Sequence, residues 1–261
     1  MFPHNEIDIV IKGRDLYWTI LGKMRGESLV LGDISYVKSE NDKGVERIFS
    51  VNIEDNQEFR VQQMISFIKA GIMPDSMLIT PNTKPVDLAE RLSHKGFIID
   101  DTGSCMLMYL DNYKKIKFEH ADFVVSDIMG KKQLSEWVNI LSEALFEGEL
   151  ITVEQFKDIM TLDNTYFYIG LLNGKPVTTC MTIVDGDTST LEFVSTLKEY
   201  RRRGFASAVM NKAFMDLRQK GVKTVALNAE PDGISVYNKL GFKECFKRVV
   251  ASCDWNSIYR K

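Results

Sequence analysis

The stretch Thr190–Phe242 decides the fold of this 261-residue chain; it begins TLEFVSTLKEYRRRGFA at residues 190–206 and ends YNKLGF at residues 237–242. Residues 191–196 are apolar and β-branched, which is typical of a buried strand. Apolar residues recur at helical spacing after Gly204, and Gly221 follows as a stop signal. The stretch therefore predicts a strand, a short arginine-rich turn and a helix.

The turn between this strand and this helix predicts an anion site. The unpaired N–H groups and the dipole at a helix start attract negative charge, and Arg201, Arg202 and Arg203 add full positive charges. Gly204 has no Cβ, so an anion can approach the main chain closely. The alternative is a solvated basic turn that only caps the helix. The sequence contains neither of the two glycine-rich phosphate-binding patterns, Gly-x-x-x-x-Gly-Lys-Ser/Thr and Gly-x-Gly-x-x-Gly. This argues against the nucleotide-binding folds that carry them.

The stretch resembles the acyl-CoA-binding core of the GNAT superfamily, the acetyl-CoA-dependent N-acetyltransferases. Two motifs in the family's order carry the resemblance: a phosphate turn after a strand, and a later Leu-x-Ala…Gly-x-x-x-Tyr-x-x-Leu-Gly-Phe. Lys198 stands where the family usually has a proline. The matching residues are Val194, Thr196, Tyr200, Arg201, Gly204 and Ala206, followed by Leu227, Ala229, Gly233, Tyr237, Leu240, Gly241 and Phe242.

The resemblance implies acetyl-CoA as the acyl donor and direct attack of a primary amine on its thioester. It implies Tyr237 as the general acid for the leaving thiolate, with a packed aromatic as the alternative. Glu192 is implied as the base for the amine, with a solvated strand residue as the alternative. Main-chain groups would pair with the pantetheine arm and hold the diphosphate. The residues expected to bind the donor are Val194, Ser195, Thr196, Arg201, Arg202, Arg203, Gly204, Phe205, Ala206 and Asn228.

The first half of the chain carries a faint internal repeat. The segment LSHKGF at 92–97 echoes YNKLGF at 237–242, with Leu92 where Tyr237 stands, and the preceding turn has neither glycine nor an arginine triplet. We therefore predict an α/β chain of two GNAT-like units, each with a mixed, mostly antiparallel sheet flanked by helices. A degenerate unit without a phosphate turn would span 1–117 and a catalytic unit 118–261. Coincidence is the alternative, because Gly-Phe often begins a strand after a helix.

Three further patterns in the sequence predict local structure. Residues 28–37 alternate as one strand, with a polar loop predicted at 38–44. Residues 96–99 and 104–110 have the composition of two separate strands. The dipeptide Asn173-Gly174 between two apolar runs predicts a tight hairpin.

The composition limits the class of protein. Apolar residues make up 44% of the chain, charged residues 26%, and the net charge is −3, which is typical of a soluble globular protein. The N-terminus lacks a secretory signal, and four scattered cysteines with three histidines make a metal site improbable. We expect a cytoplasmic monomer or homodimer that acts on a small-molecule or peptide amine, without nucleic acid or membrane. The alternatives are a non-catalytic acyl-CoA-binding regulatory module and a Fem-type aminoacyl transferase.

Overall fold

The computed structural model describes residues 4–39, 46–145 and 151–253. Contacts divide the chain into two compact units. Unit 1 contains Met1–Cys105 and Phe246–Lys261, and unit 2 contains Met106–Cys245. The chain thus passes between the units inside two strands, at residues 105/106 and 245/246. The domain boundary at 117/118 stays a prediction, and that position lies within unit 2.

Unit 1 is built from three helices and the strands among them. Their bounds are α1 (His4–Arg25), β1 (Gly26–Leu31), β2 (Ile34–Ser39), β3 (Arg47–Val51), α2 (Gln57–Lys69), β4 (Ser76–Ile79), α3 (Leu88–Ser93) and β5 (Ile98–Tyr109), whose last four residues belong to unit 2.

Unit 2 contains the stretch with which the sequence analysis began. Its elements are β6 (Phe123–Asp127), α4 (Lys131–Leu145), α5 (Val153–Lys157), β7 (Thr165–Leu172), β8 (Lys175–Asp185), β9 (Thr188–Thr196), α6 (Phe205–Gln219), β10 (Thr224–Ala229), α7 (Pro231–Leu240) and β11 (Lys243–Ser252). The residues of β11 from 246 onward belong to unit 1.

Two local predictions in unit 1 are wrong. The single strand predicted at 28–37 is a hairpin of antiparallel β1 and β2, because Gly32 adopts a φ of 65° and reverses the chain there. The two strands predicted at 96–99 and 104–110 are one continuous strand, β5. Most of the loop predicted at 38–44 lies outside the described residues.

The sheet of unit 2 is mixed and mostly antiparallel, which confirms the predicted fold class. Its strands lie in the order β10, β9, β8, β7, β6, and the unit 2 residues of β5 lie beside β10. The pairs β6–β7, β7–β8 and β8–β9 are antiparallel, whereas β9 and β10 are parallel and joined through α6. The hairpin of β7 and β8 turns at Asn173 and Gly174, both with positive φ, as predicted.

Helices cover both faces of this sheet. Phe167 of β7 packs against Trp137 of α4, while its neighbour Tyr168 belongs to the core formed with α6. Because successive residues of a strand point to opposite faces, α4 and α6 lie on opposite sides of the sheet. The apolar side chains that predicted each helix, such as Val209 and Phe214 of α6, are the ones that are buried.

The segment before β6 packs onto unit 2. The Tyr113 hydroxyl is hydrogen-bonded to the side chain of Asn211 on α6, and Asn211 Nδ2 donates to the carbonyl of Ile116 at 2.9 Å. Lys114 N donates to the carbonyl of Leu240 at 3.0 Å. These contacts explain why the polar stretch 111–117 belongs to the compact unit around α6.

The two halves of the chain share an order of elements. The series from α1 to β5 and the series from α4 to β11 have the same order: a helix, two antiparallel strands, a third strand, a helix, a parallel strand, a helix and a last strand. The second series also has β6 before it and α5 within it. In each series the described parallel pair flanks a helix, β3–β4 around α2 and β9–β10 around α6. This order supports a duplicated origin, which stays a prediction.

Two buried threonines of unit 2 differ in what their hydroxyls contact. Thr182 Oγ1 on β8 has no hydrogen-bond partner among the described residues, whereas Thr165 Oγ1 on β7 donates to the carbonyl of Ile159 at 2.6 Å. A buried hydroxyl without a partner costs stability. We expect Thr182→Val to raise the free energy of unfolding by about 1 kcal/mol and Thr165→Val to lower it by about 1 kcal/mol. Thermal unfolding would resolve shifts of about 2–4 °C; shifts of the same sign in both variants would contradict this account.

Candidate functional site

Strands β9 and β10 pair along only part of their length. The parallel ladder joins residues 188–190 to residues 224–226, and the described pairing stops at Thr190 and Ala226. Both strands continue, β9 to Thr196 and β10 to Ala229. The edge of β9 beyond Thr190 therefore faces a gap in the sheet. An extended ligand with amide groups can pair with such an edge.

A β-bulge lies in the same part of β9. Thr179 of β8 opposes Ser195, and Met181 opposes Glu192, so Cys180 alone faces both Phe193 and Val194. Phe193 has a φ of 53°, in the left-handed region, which costs a bulky residue roughly 1–2 kcal/mol. Strain of this kind is retained where the surrounding structure enforces it.

The bulge turns one N–H group into the gap. The carbonyl oxygen of Phe193 accepts a hydrogen bond from Thr179 Oγ1 on β8 at 3.1 Å. In a trans peptide the C=O and the following N–H point in opposite directions. The N–H of Val194 therefore points away from β8, toward the side on which β10 has parted from β9.

Side-chain hydroxyls hold the rest of this segment to β8. Thr178 Oγ1 donates to the carbonyl of Ser195 at 2.7 Å and lies 2.9 Å from Thr196 Oγ1. Ser195 is buried and its Oγ donates to the carbonyl of Phe193 at 3.4 Å. These bonds fix the β8 side of the segment, so its geometry is set before any ligand arrives.

The arginine-rich turn has the backbone of an anion site. Arg202 has a φ of 60° and Gly204 a φ of 86°, and Gly204 is the N-cap of α6. No side chain of the described residues caps this helix, and its first internal hydrogen bond runs from Ala208 N to Gly204 O at 3.0 Å. The N–H groups of Phe205, Ala206 and Ser207 come before that bond and point out of the helix end. Positive φ beside a helix start is the geometry of a main-chain anion cradle.

Gly204 lies where the turn has little room for a side chain. A Cβ at this position would lie 3.0 Å from Phe118 Cδ2, and the φ of 86° strains any other residue. Phe205 is buried beneath the turn with Phe118, Phe123 and Tyr200 around it. The aromatic cluster anchors the first residue of α6 and leaves its end open.

The three arginines have different contacts. Arg201 donates from Nε to the carbonyl of Thr196 and from a terminal nitrogen to the carbonyl of Ala144, both at 3.0 Å. The guanidinium of Arg203 lies 5.8 Å from the ring centre of Tyr200 and 5.1 Å from that of Phe205. Arg201 thus connects the end of β9 to α4, and Arg203 covers aromatic rings. Their charges remain at the turn, while the direct donors of the cradle are main-chain groups.

Glu192 lies one residue before the bulge. It is partly buried, and its Oε1 accepts a hydrogen bond from Thr190 Oγ1 at 2.7 Å. Burial raises the pKa of Glu192 to about 7, against a smaller opposite effect of the bond from Thr190. A carboxyl group that titrates near neutral pH is suited to accept a proton there.

Tyr237 lies on α7 and packs against Phe242, with ring centres 5.8 Å apart at 70°. Burial raises the pKa of Tyr237, and the charges of Glu192, Cys180 and Glu230 raise it further. The phenol therefore keeps its proton across the neutral range. The charge of Glu192 thus acts on the phenol of Tyr237, the other predicted catalytic residue.

Asn228 lies on β10 beyond the last paired residue of that strand, Ala226. It is partly buried and follows Leu227 of the core. The predicted donor-binding residues thus lie on the edge of β9, on the turn before α6 and on β10 beyond Ala226.

Three residues that shape the site were not predicted from the sequence: Phe118 against Gly204, Cys180 opposite the bulge, and Trp137, which contacts both Phe193 and Cys180. Trp137 lies on the amphipathic helix α4. Its spacing on α4 predicts burial, but no sequence signal indicates which strand residues it meets.

Within residues 4–39, 46–145 and 151–253, no three His, Cys, Asp or Glu side chains are grouped as a metal site requires. None of the helices in these ranges has both the length and the apolar character needed to cross a bilayer.

Known proteins share this fold and this site region. A family model described as "Acetyltransferase (GNAT) family" matches residues 133–242. A GCN5-related N-acetyltransferase from Kribbella flavida is similar over 93% of both chains, with a TM-score of 0.71 and 15% identity.

Two further solved structures agree. A GCN5-related N-acetyltransferase from Sphaerobacter thermophilus matches 84% of this chain and 76% of its own, with a TM-score of 0.65 and 14% identity. A tandem GNAT protein from the clavulanic acid biosynthesis pathway matches 84% of this chain and 78% of its own, with a TM-score of 0.60 and 11% identity. At these identities the structures show a common fold, and the family model carries the assignment. Residues 133–242 therefore match the GNAT acetyltransferase family, and this match supports an acyltransferase.

Proposed function

We propose that the chain is an N-acetyltransferase that moves an acetyl group from acetyl-CoA to a primary amine. The observation that carries this proposal is the glycine turn at the start of α6, directly after a strand whose described pairing with β10 ends at Thr190. The turn offers main-chain donors to a diphosphate, and the edge of β9 offers main-chain groups to the amides of a pantetheine arm. The two lie in the order in which those groups occur along acetyl-CoA.

The binding role is assigned mainly to the backbone. Phe205 and Ala206 would donate N–H groups to the diphosphate, with Arg202 and its neighbours supplying positive charge. Val194, Ser195 and Thr196 would pair with the pantetheine, and Asn228 would line the opposite side of the gap. Gly204 keeps this turn in its conformation, because a Cβ there would meet Phe118 and the positive φ strains any larger residue.

The chemistry is a direct transfer. Acetyl-CoA supplies an activated acyl group: a C–N bond forms, the C–S bond breaks, the amine loses a proton and the sulfur gains one. The N–H of Val194 would stabilise the negative charge that develops on the thioester oxygen, because it is fixed in direction before the reaction. Glu192 would take the proton of the incoming ammonium, either directly or through water.

Tyr237 would protonate the leaving sulfur. Its buried phenol keeps its proton at neutral pH. A thiolate that forms in the same buried site is also poorly solvated, which raises the pKa of its thiol from about 8.5 toward that of the phenol. Burial thus raises both the pKa of the phenol that donates the proton and the pKa of the thiol that forms.

The expectations about partners belong to this proposal. The acceptor is a small molecule or a peptide with a primary amine, the protein works without nucleic acid, membrane or metal, and it is a cytoplasmic monomer or homodimer.

Binding of the donor can be tested with two glycines of α6. Gly204→Ala adds a Cβ 3.0 Å from Phe118 Cδ2, so the turn that carries the proposed cradle must shift, and we expect acetyl-CoA affinity to fall by about tenfold or more. Gly221→Ala, at the other end of the helix, is the matched control: its φ of 80° gives similar strain, but nothing lies within 4 Å of the added Cβ. Calorimetric titration of both variants checks this. No acetyl-CoA uptake by the wild type, or equal losses in both variants, would contradict the proposed donor site.

The acid role predicts the behaviour of Tyr237→Phe. The ring keeps its packing on Phe242 but loses the proton, so turnover should fall by about 10²–10⁴ while acetyl-CoA affinity changes little. Release of the CoA thiol with the best amine of a panel measures this. Tyr113→Phe removes a phenol from the same core without reaching the site and should keep near-normal turnover. Near-normal turnover in Tyr237→Phe would remove this residue from the mechanism.

The base role predicts a pH dependence. Because the pKa of Glu192 is raised to about 7, the carboxyl is protonated below that pH and cannot accept a proton. We expect the ratio of kcat/KM between wild type and Glu192→Gln to rise about tenfold per pH unit up to about pH 7 and then to level off. The ratio cancels the titration of the amine itself. A ratio that does not change with pH would exclude Glu192 as the base.

A further inference from the structure

The proposed mechanism needs the bulge of β9 to remain in one geometry. Phe193 holds a left-handed φ of 53° that its side chain disfavours, and the direction of the Val194 N–H depends on it. The hydroxyl of Thr179 fixes one side of this peptide through the carbonyl of Phe193. Its side chain must be held as well, because a strained residue keeps its conformation only where its surroundings enforce it.

Trp137 contacts both strands at the bulge. It lies on α4 and is completely buried. Its ring meets that of Phe193 edge to face, with centres 5.7 Å apart at 82°. Its Nε1 donates to the carbonyl of Cys180 at 3.4 Å, and Cys180 is the β8 residue opposite the bulge. One side chain therefore contacts both the bulged residue and the residue that it faces.

Phe156 of α5 completes the packing. Its ring centre lies 5.0 Å from that of Trp137 and 5.5 Å from that of Phe193, with both pairs near perpendicular. Phe167 packs on the far side of Trp137 at 4.9 Å and on Phe156 at 6.5 Å. Phe167 thus belongs to the same aromatic cluster, but its described ring contacts are with Trp137 and Phe156 and not with Phe193.

We propose that Trp137 is a positioning residue for acyl transfer: it sets the bulge, and through it the direction of the Val194 N–H toward the thioester oxygen. The inference rests on the proposed function. Trp137 acts through Phe193 and Cys180 and does not itself touch the reacting atoms. A displacement of a catalytic donor by about 1 Å costs on the order of 10²-fold in rate, so loss of the indole contact should affect the chemical step more than binding.

The test is the variant Trp137→Phe with Phe167→Leu as its matched control. Both truncate an aromatic side chain in the same cluster, but only Trp137→Phe removes the bond to Cys180 and changes the contact with Phe193. The probe is acetyl-CoA with an isotope label at the acetyl carbonyl, bound to each protein and followed by infrared difference spectroscopy. A hydrogen bond from Val194 N–H lowers the carbonyl stretching frequency, and this readout requires no knowledge of the acceptor.

We expect the carbonyl frequency to be lowered in the wild type and in Phe167→Leu, and to return toward its solution value in Trp137→Phe. Affinity for free CoA, which has no acetyl carbonyl, should change less than about threefold in Trp137→Phe, whereas turnover with the best amine should fall by about 10–10²-fold. An unchanged frequency in Trp137→Phe, or an equal loss in Phe167→Leu, overturns the proposal.

A second pair of variants tests the geometry without altering the aromatic cluster. Thr179→Val removes the hydroxyl that fixes the Phe193 carbonyl, whereas Thr182→Val removes the hydroxyl on the same strand that has no partner among the described residues. The carbonyl frequency should rise in the first and stay as in wild type in the second. If Trp137→Phe does not fold, this pair decides whether a held bulge polarises the thioester.

The outcomes separate this inference from the proposed function. If the wild type binds no acetyl-CoA, the proposed function fails and the positioning role fails with it. If the wild type binds acetyl-CoA and transfers its acetyl group, but the carbonyl is not polarised or Trp137→Phe leaves it polarised, only the role of Trp137 is overturned.

Discussion

The organisation of unit 2 depends on a ladder of hydrogen bonds that is left incomplete. A strand in the middle of a sheet normally has both edges paired, because buried N–H and C=O groups without partners cost free energy. In β9 the pairing toward β10 stops at Thr190, although both strands continue. Beyond Thr190, a ligand or water can supply hydrogen-bond partners to this edge. The gap is thus the candidate binding site, and main-chain groups line it.

The remaining contacts of the site keep that edge in place. Thr178 and Thr179 bind carbonyl groups of the bulged segment from β8, and Arg201 holds the carbonyl of Thr196 at its end. These bonds lie on the side away from the gap or at its margin. They determine the geometry of the edge while its other groups stay free to bind, which is how a site can be set before its ligand arrives.

Burial in unit 2 also sets the protonation of the two candidate catalytic side chains. Glu192 lies where β9 and β10 part, and Tyr237 packs against the core of unit 2. Burial raises the pKa of both, to about 7 for Glu192, which leaves a carboxyl that titrates near neutrality and a phenol that keeps its proton. One physical cause thus gives two side chains the properties of a base and an acid.

The sequence by itself determined the parts of the protein that depend on local chemistry. The period of apolar residues predicted α6, the dipeptide Asn173-Gly174 predicted its hairpin, and the arginines with Gly204 predicted the turn before α6, because each signal lies within a few residues of the structure that it specifies. A resemblance in motif order predicted the fold class. Where local signals were ambiguous, as at Gly32, an expected strand became a hairpin.

Only the tertiary structure decided how distant residues meet. The apolar, β-branched composition of residues 191–196 predicts a buried strand, and nothing in it indicates the bulge, since the bulge exists only relative to β8. Trp137 looks like any buried residue of an amphipathic helix until α4 is packed beside Phe193 and Cys180. Contacts between residues more than forty positions apart depend on the packing of whole elements, which the composition and spacing of a local segment do not encode.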